Sequence, residues 1–348
     1  CRVALRINSD GEKHATVTVL LCVCSRLRTM LLHVYPFAAM RCRCLSFLIA
    51  VGPLAALEVS RSGSCTSSEV PWPATGGGVS CEAFQDAKTR ATKFLNDNMP
   101  PWDVINRGTL QLGILPQTVQ QALEVRQNFS WAGKVPEDVW MDYVLPYANV
   151  NEARSDWRPL LFEKLAMSPT PTKTLAEVAV FVNQHIWSEL NPSKPVYFKP
   201  QQTPLIYDPM SAISFGFASC TGLSILYVDA LRSVGVPARL VGTPAWHGKF
   251  ADGNHNWVEI WLGEGGGLQD EPWTIMESSP AGPGEQLLKP CDKWFCNPSH
   301  FDGATKTYAA KFDRSGDFMV YPMAWDMANK NIPGVNRSTF YNTVCGQC

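Results

Sequence analysis

The chain has 348 residues, 45% of them hydrophobic, with 30 Lys and Arg against 31 Asp and Glu and a formal charge of -1. A charged fraction of 18% is too low for a disordered polyelectrolyte, and the near-neutral total excludes nucleic-acid binding that works by neutralising phosphates. The length allows one large domain or two ordinary ones, with ample apolar material for a core.

Charge is unevenly spread. Residues 1–60 carry seven basic and three acidic residues, and no acid occurs between Lys13 and Leu57. Met40 opens MRCRCLSFLIAVGPLAAL, where Arg41 and Arg43 give a basic start and residues 45–57 an apolar run that ends in small and polar residues. That is the layout of a secretory signal peptide, too short to span a bilayer. The expected organisation is therefore upstream sequence at 1–39, signal peptide and leader at 40–64, and an exported mature chain. Met30 is a second candidate start, and a buried N-terminal helix is the rival reading.

Seven cysteines follow the leader: Cys65, Cys81, Cys220, Cys291, Cys296, Cys345 and Cys348. In an oxidising compartment six would pair and one thiol would remain. Cys291, Cys296, Cys345 and Cys348 could alternatively hold zinc, although their spacing is loose. Asn128 and Asn336 stand in glycosylation sequons, as suits a secreted chain.

After a Ser-, Gly- and Pro-rich stretch at 60–80, residues 65–165 form a mostly helical N-terminal region with proline breaks. Thr174 and Glu177 make a capping box for a helix whose apolar stripe is Leu175, Val178, Ala179, Val182, Ile186, Trp187 and Leu190. Residues 191–215, with five prolines, are expected to be one long surface loop.

Cys220 leads directly into Leu223, Leu226, Tyr227, Ala230, Leu231 and Val234 at helical spacing, closed by Gly235 and Pro237. At a helix N-terminus the unsatisfied N–H groups favour thiolate over thiol and can also bind an oxyanion. Residues 238–242, 254–262 and 273–277 read as strands. The second places His255, Trp257, Glu259 and Trp261 on one face and is apolar enough on both to be central.

In order, GFASCTGLS, LRSVGVPARLVGTP, NHNWVEIW and the strand around Trp273 resemble the transglutaminase-like superfamily, papain-like thiol enzymes, over roughly residues 138–312. The resemblance extends to the longer bacterial cysteine peptidases of that group. It implies an α+β fold at 166–348, a nucleophile helix packed on an antiparallel sheet with a cysteine-bearing C-terminal extension. It further implies Cys220 as nucleophile, His255 as general base and acid, and Glu277 as the acid that orients the imidazole, where the family usually has Asp. Asp252 and Glu259 are rivals for that third place. Glu259 lies four residues along the strand from His255, about 13 Å, and so cannot reach it. Gln201 or Gln202 could assist an oxyanion, and Trp246 and Trp257 could line an acyl groove, though aromatics on central strands are more often core. His185 and His247 read as structural.

The function this implies is attack on protein or peptide amides through a Cys220 thioester, ending in hydrolysis or in transfer to an amine. The alternative is a non-catalytic scaffold on an inactive fold, which Glu in place of Asp at 277 keeps open. No cofactor, metal site or nucleic-acid partner is expected. If the leader reading holds, secreted protein begins between residues 55 and 65, which N-terminal sequencing reads directly.

Overall fold

The computed structural model describes residues 81–166, 173–284 and 286–348, together with the backbone of 4–10, 14–23 and 43–50. The chain divides into two units, 1–63 and 64–348. In the first, Ala4–Asp10, His14–Val23 and Arg43–Ala50 form a three-stranded antiparallel sheet. Part of the apolar run expected as a signal peptide is thus a strand. The rest of the leader and Cys65 lie outside the described residues, and of Cys81 only its place in a helix is described. Among those described, no helix is long and apolar enough to cross a membrane.

The second unit begins with helices, as its proline-punctuated sequence predicts. They include α1 (Cys81–Asp97), α2 (Ile114–Asn128) and α3 (Trp157–Ala166), followed by α4 (Leu175–Glu189). The capping box of α4 forms in both directions: the Glu177 N–H donates to the Thr174 hydroxyl at 3.3 Å, and the Thr174 N–H donates to the Glu177 carboxylate at 2.8 Å. Residues 191–208 are mostly loop, but Pro209–Phe215 is a helix. Its start was written in the sequence. Asp208 caps it by accepting the Ser211 N–H at 3.0 Å, and Pro209 takes the first helical position, where no N–H is needed.

Helix α5 (Cys220–Ser233) is the centre of the unit, and every residue from Thr221 to Ser233 is buried. Its apolar residues fill the core, and the charged residues buried with them are partnered: Arg232 donates to the carbonyls of Tyr143, Ala148 and Ala238, and Asp229 accepts from Asn149. Leu223, Leu226 and Leu231 share one core with Leu161 and Leu165 of α3, Val178, Val182 and Ile186 of α4, and Val258 and Ile260 of the sheet. Helices on both sides of residue 165 thus contribute to one core. Gly235 ends α5 with φ +80°, and a Cβ there would lie 2.5 Å from the Ala132 side chain. Glycine is required for both reasons.

The sheet is antiparallel and six-stranded: β1 (Ala238–Thr243), β2 (His255–Trp261), β3 (Trp273–Met276), β4 (Tyr308–Ala310), β5 (Met319–Val320) and β6 (Pro333–Asn336), in the order β5-β6-β4-β1-β2-β3. The three strands read from sequence are present to within a residue or two, and β2 is internal. The short strands β4 to β6 carry too few residues for an alternation to show. One face of β2 meets α5. The other carries Trp257 into an aromatic layer with Phe295, Phe301 and Tyr341, the last from α6 (Ser338–Val344).

Arg239 and Glu259 are direct cross-strand partners. Glu259 also takes Arg337 at 2.9 Å and the Tyr341 hydroxyl at 3.0 Å, and is fully buried. Its carboxyl is pulled below the usual range: burial opposes this, but the two guanidinium groups win. Glu259→Ala leaves Arg239 and Arg337 without this buried carboxylate and is expected to cost about 3–5 kcal/mol. The midpoint of chemical denaturation measures the loss.

Candidate active site

Cys220 is the first residue of α5, half-buried and outside any disulfide. Ser219 occupies the N-cap position, yet its hydroxyl does not cap the helix. It pairs instead with the Thr203 hydroxyl at 2.7 Å, which leaves the first-turn amides to the sulfur and whatever binds beside it. The cleft over Cys220 has a volume of about 530 Å³, with Gln201, His255, Trp294 and Trp325 in its walls.

His255 opens β2, and its Nε2 lies 2.7 Å from Glu277 Oε2, leaving the other ring nitrogen for Cys220. The strand register explains the reach. Val258 faces Met276, so continuing the ladder sets Glu277 opposite Trp257, on the diagonal from His255, a separation that a long side chain spans. Glu277 is buried and its partners are distributed over both oxygens. Oε2 also accepts from Trp294 Nε1 at 2.9 Å, and Oε1 accepts the Ser278 N–H at 2.9 Å. The backbone carbonyl of Glu277 accepts from Asn183 Nδ2 at 2.9 Å.

Electrostatics follow from this packing. Burial disfavours the Cys220 thiolate, but the hydrogen bond and charge of His255, with the Asn256 N–H, outweigh it and bring the thiol below its ordinary value. Burial likewise disfavours the imidazolium. The charge of Glu277 and the bonds to Cys220 and Glu277 prevail and push His255 up to about 10. Both shifts favour the charged forms, so the two groups lean toward a thiolate–imidazolium pair.

The rivals lie elsewhere. Asp252 Oδ2 bonds His247 Nδ1 at 2.8 Å, and Glu259 belongs to the arginine cluster. Gln202 turns to the Pro200 carbonyl at 2.9 Å, while Gln201 lines the cleft. Neither tryptophan expected in an acyl groove is in the cleft wall: Trp257 is fully buried and donates to the Tyr341 hydroxyl at 2.7 Å, and Trp246 packs behind His255 in the same layer. His185 bonds a backbone carbonyl within its own helix. Cys291–Cys348 and Cys296–Cys345 are disulfides, which overturns the zinc alternative, and no metal-ligand cluster occurs among the described residues. Asn336 is exposed.

Asn183, Asn256 and Trp294 were missed in the sequence. Asn183 lies on the buried stripe of α4, between Val182 and Ile186, where a polar residue in an apolar row was the available signal. Asn256 accepts from the Thr221 hydroxyl at 2.9 Å and donates to the Tyr321 hydroxyl at 2.6 Å, tying β2 to the start of α5. Trp294 carried only its place between two cysteines.

Residues 161–278 match the family model of the transglutaminase-like superfamily, a span that includes Cys220, His255 and Glu277. A solved structure of a candidate cysteine protease from Cytophaga hutchinsonii aligns with 60% of this chain and 66% of its own, just under two thirds, at 13% identity and a TM-score of 0.31. No curated protein matches the chain.

With the thiol lowered, alkylation of Cys220 by iodoacetamide should reach half its plateau rate at a lower pH than an ordinary thiol does, and slow on further acidification. Above about pH 10 His255 loses its proton and the ion pair becomes a thiolate beside neutral imidazole. Rates measured against pH, with peptide mapping of the label, check this.

Proposed function

Through residues 161–278 this chain belongs to the transglutaminase-like superfamily, and from that premise we propose that it is an exported thiol enzyme acting on amide bonds of proteins or peptides. The single observation that carries the reading is the continuous hydrogen-bonded line from Cys220 through His255 to Glu277, closed at 2.7 Å on its carboxylate side. A scaffold has no need of a half-buried thiol beside a buried ion pair. The two C-terminal disulfides support an oxidising destination.

The Cys220 thiolate attacks the amide carbon, and the carbonyl π electrons move onto oxygen. Amides of the α5 N-terminus stabilise that oxyanion. His255 gives its proton to the departing amine as the C–N bond breaks, leaving an acyl thioester on Cys220. Water or a second amine then attacks this thioester while His255 takes the nucleophile's proton, and Cys220 is released as the thiolate. Glu277 holds the ring and stabilises its charged form, as the acid does in other triads. Glu has one methylene more than the family's usual Asp, and the diagonal position opposite Trp257 uses that length.

Incubation with a peptide library and a labelled primary amine, read by mass spectrometry, separates cleaved, deamidated and amine-bearing products. Cys220→Ala and His255→Ala are each expected to abolish turnover. Glu277→Gln should leave a folded protein with turnover reduced by about 10–10⁴-fold, the upper bound being that of a triad lacking its acid. Full activity in Glu277→Gln would remove the triad assignment, and no product of any kind would remove the enzyme.

A further inference from the structure

We propose that Trp294 is a positioning residue for this site, held over the His255–Glu277 bond by a segment that two disulfides clip to the C-terminal helix. The proposal rests on the assignment of Cys220, His255 and Glu277 given above. Trp294 donates to the same Oε2 that receives His255, and its ring centroid lies 4.7 Å from the imidazole. It is 41% exposed and lines the cleft, so it separates that bond from open water.

The rest of the chain fixes the indole where it is. Cys291 and Cys296 flank it in sequence and are joined to Cys348 and Cys345, just beyond α6. Helix α6 is itself anchored in the sheet by Tyr341, which donates to Glu259 and accepts from Trp257. Phe295, next to Trp294, is fully buried with its ring 4.6 Å from Trp257. Against the Cδ1–Nε1 edge of the indole lies the bare backbone of Gly282, at φ +150°, where a Cβ would come within 2.6 Å of the Trp294 ring. The small residue makes room for the indole, and any side chain there would displace it.

Two effects follow from this placement. A second donor on Oε2, with the Ser278 N–H on Oε1, fixes the rotation of the carboxylate, so the acceptor stays aimed at His255. Covering the bond keeps the local dielectric low, so the carboxylate holds the imidazolium and the imidazolium holds the thiolate. The other titratable groups facing the site are Tyr321, on the Cys220 side, with His300 and Lys293 on the Trp294 side. Lys293 is bonded to Asp292 and to the carbonyl of Lys289.

The test is the pH dependence of Cys220 alkylation by iodoacetamide, alongside turnover, in the full chain. Trp294→Ala admits water and should move the alkylation midpoint up by about one pH unit, a roughly tenfold loss of rate below the midpoint. Gly282→Ala, which keeps the tryptophan but displaces it, should shift it the same way. Trp294→Phe keeps the cover and loses only the donor, so its midpoint should stay near that of the parent while turnover falls several-fold. The paired replacements Cys291→Ser with Cys348→Ser and Cys296→Ser with Cys345→Ser, which leave no new thiol, should move toward the alanine variant. Near-UV circular dichroism establishes that each variant is folded. A folded Trp294→Ala with the parent's midpoint overturns the proposal. Should that variant not fold, an unshifted midpoint in Gly282→Ala or in both cysteine pairs overturns it equally. Because alkylation needs no substrate, a parent that turns nothing over sinks the proposed function and leaves the midpoints to decide the role of Trp294.

Discussion

A buried carboxylate facing a buried imidazole is the constraint around which this unit is built. Each charge alone would be expelled from such a place, at a cost of several kcal/mol per ion. Together at 2.7 Å they tolerate it, provided that every remaining acceptor of the carboxylate is used. The fold supplies those donors from two directions, Ser278 beyond β3 and Trp294 from the disulfide-bearing segment, while Asn183 of α4 grips the backbone at Glu277 and Ser279. Strand pairing, helix packing and the C-terminal extension thus converge on a single residue. The thiol at the end of the line meets that arrangement through His255, which helps to lower it.

Sequence periodicity exposed the parts of this design that repeat. Helix α5 was legible because its apolar residues recur at helical spacing between Ser219 and Gly235. Strand β2 was legible because both faces are apolar, as an internal strand requires. The transglutaminase-like order of motifs located Cys220, His255 and Glu277, and the structure brings these three together. What did not show was whatever depends on a neighbour distant in sequence. The indole of Trp294 meets Glu277 across a turn whose course no local pattern announces. The strand pattern left Trp257 open to a groove or a core place, and it is a core residue because α6 returns to cover that face. The helix at Pro209–Phe215 lay hidden among five prolines, one of which stands at a first helical position, where Pro starts a helix.

Burial also sorts the acids that looked alike in the sequence. Asp252, Glu259 and Glu277 all lie within a short stretch around His255. Asp252 stays near the surface with His247, Glu259 neutralises two arginines, and Glu277 alone faces the imidazole. Register makes the difference between the last two, since both side chains leave the sheet on the aromatic face.

That register has its own guard. Arg239 and Glu259 stand directly opposite each other in the interior of the sheet, four residues from the pair Thr243 and His255. A slip of one residue between β1 and β2 would turn every side chain of the moved strand to the other face. Arg239 would then confront Val258 or Ile260, with a bare charge in an oily layer, and no alternative pairing offers it a carboxylate. The ion pair therefore acts as a key that fits only one alignment. An error at that distant point is rejected before it can deliver His255 to the wrong side of the sheet.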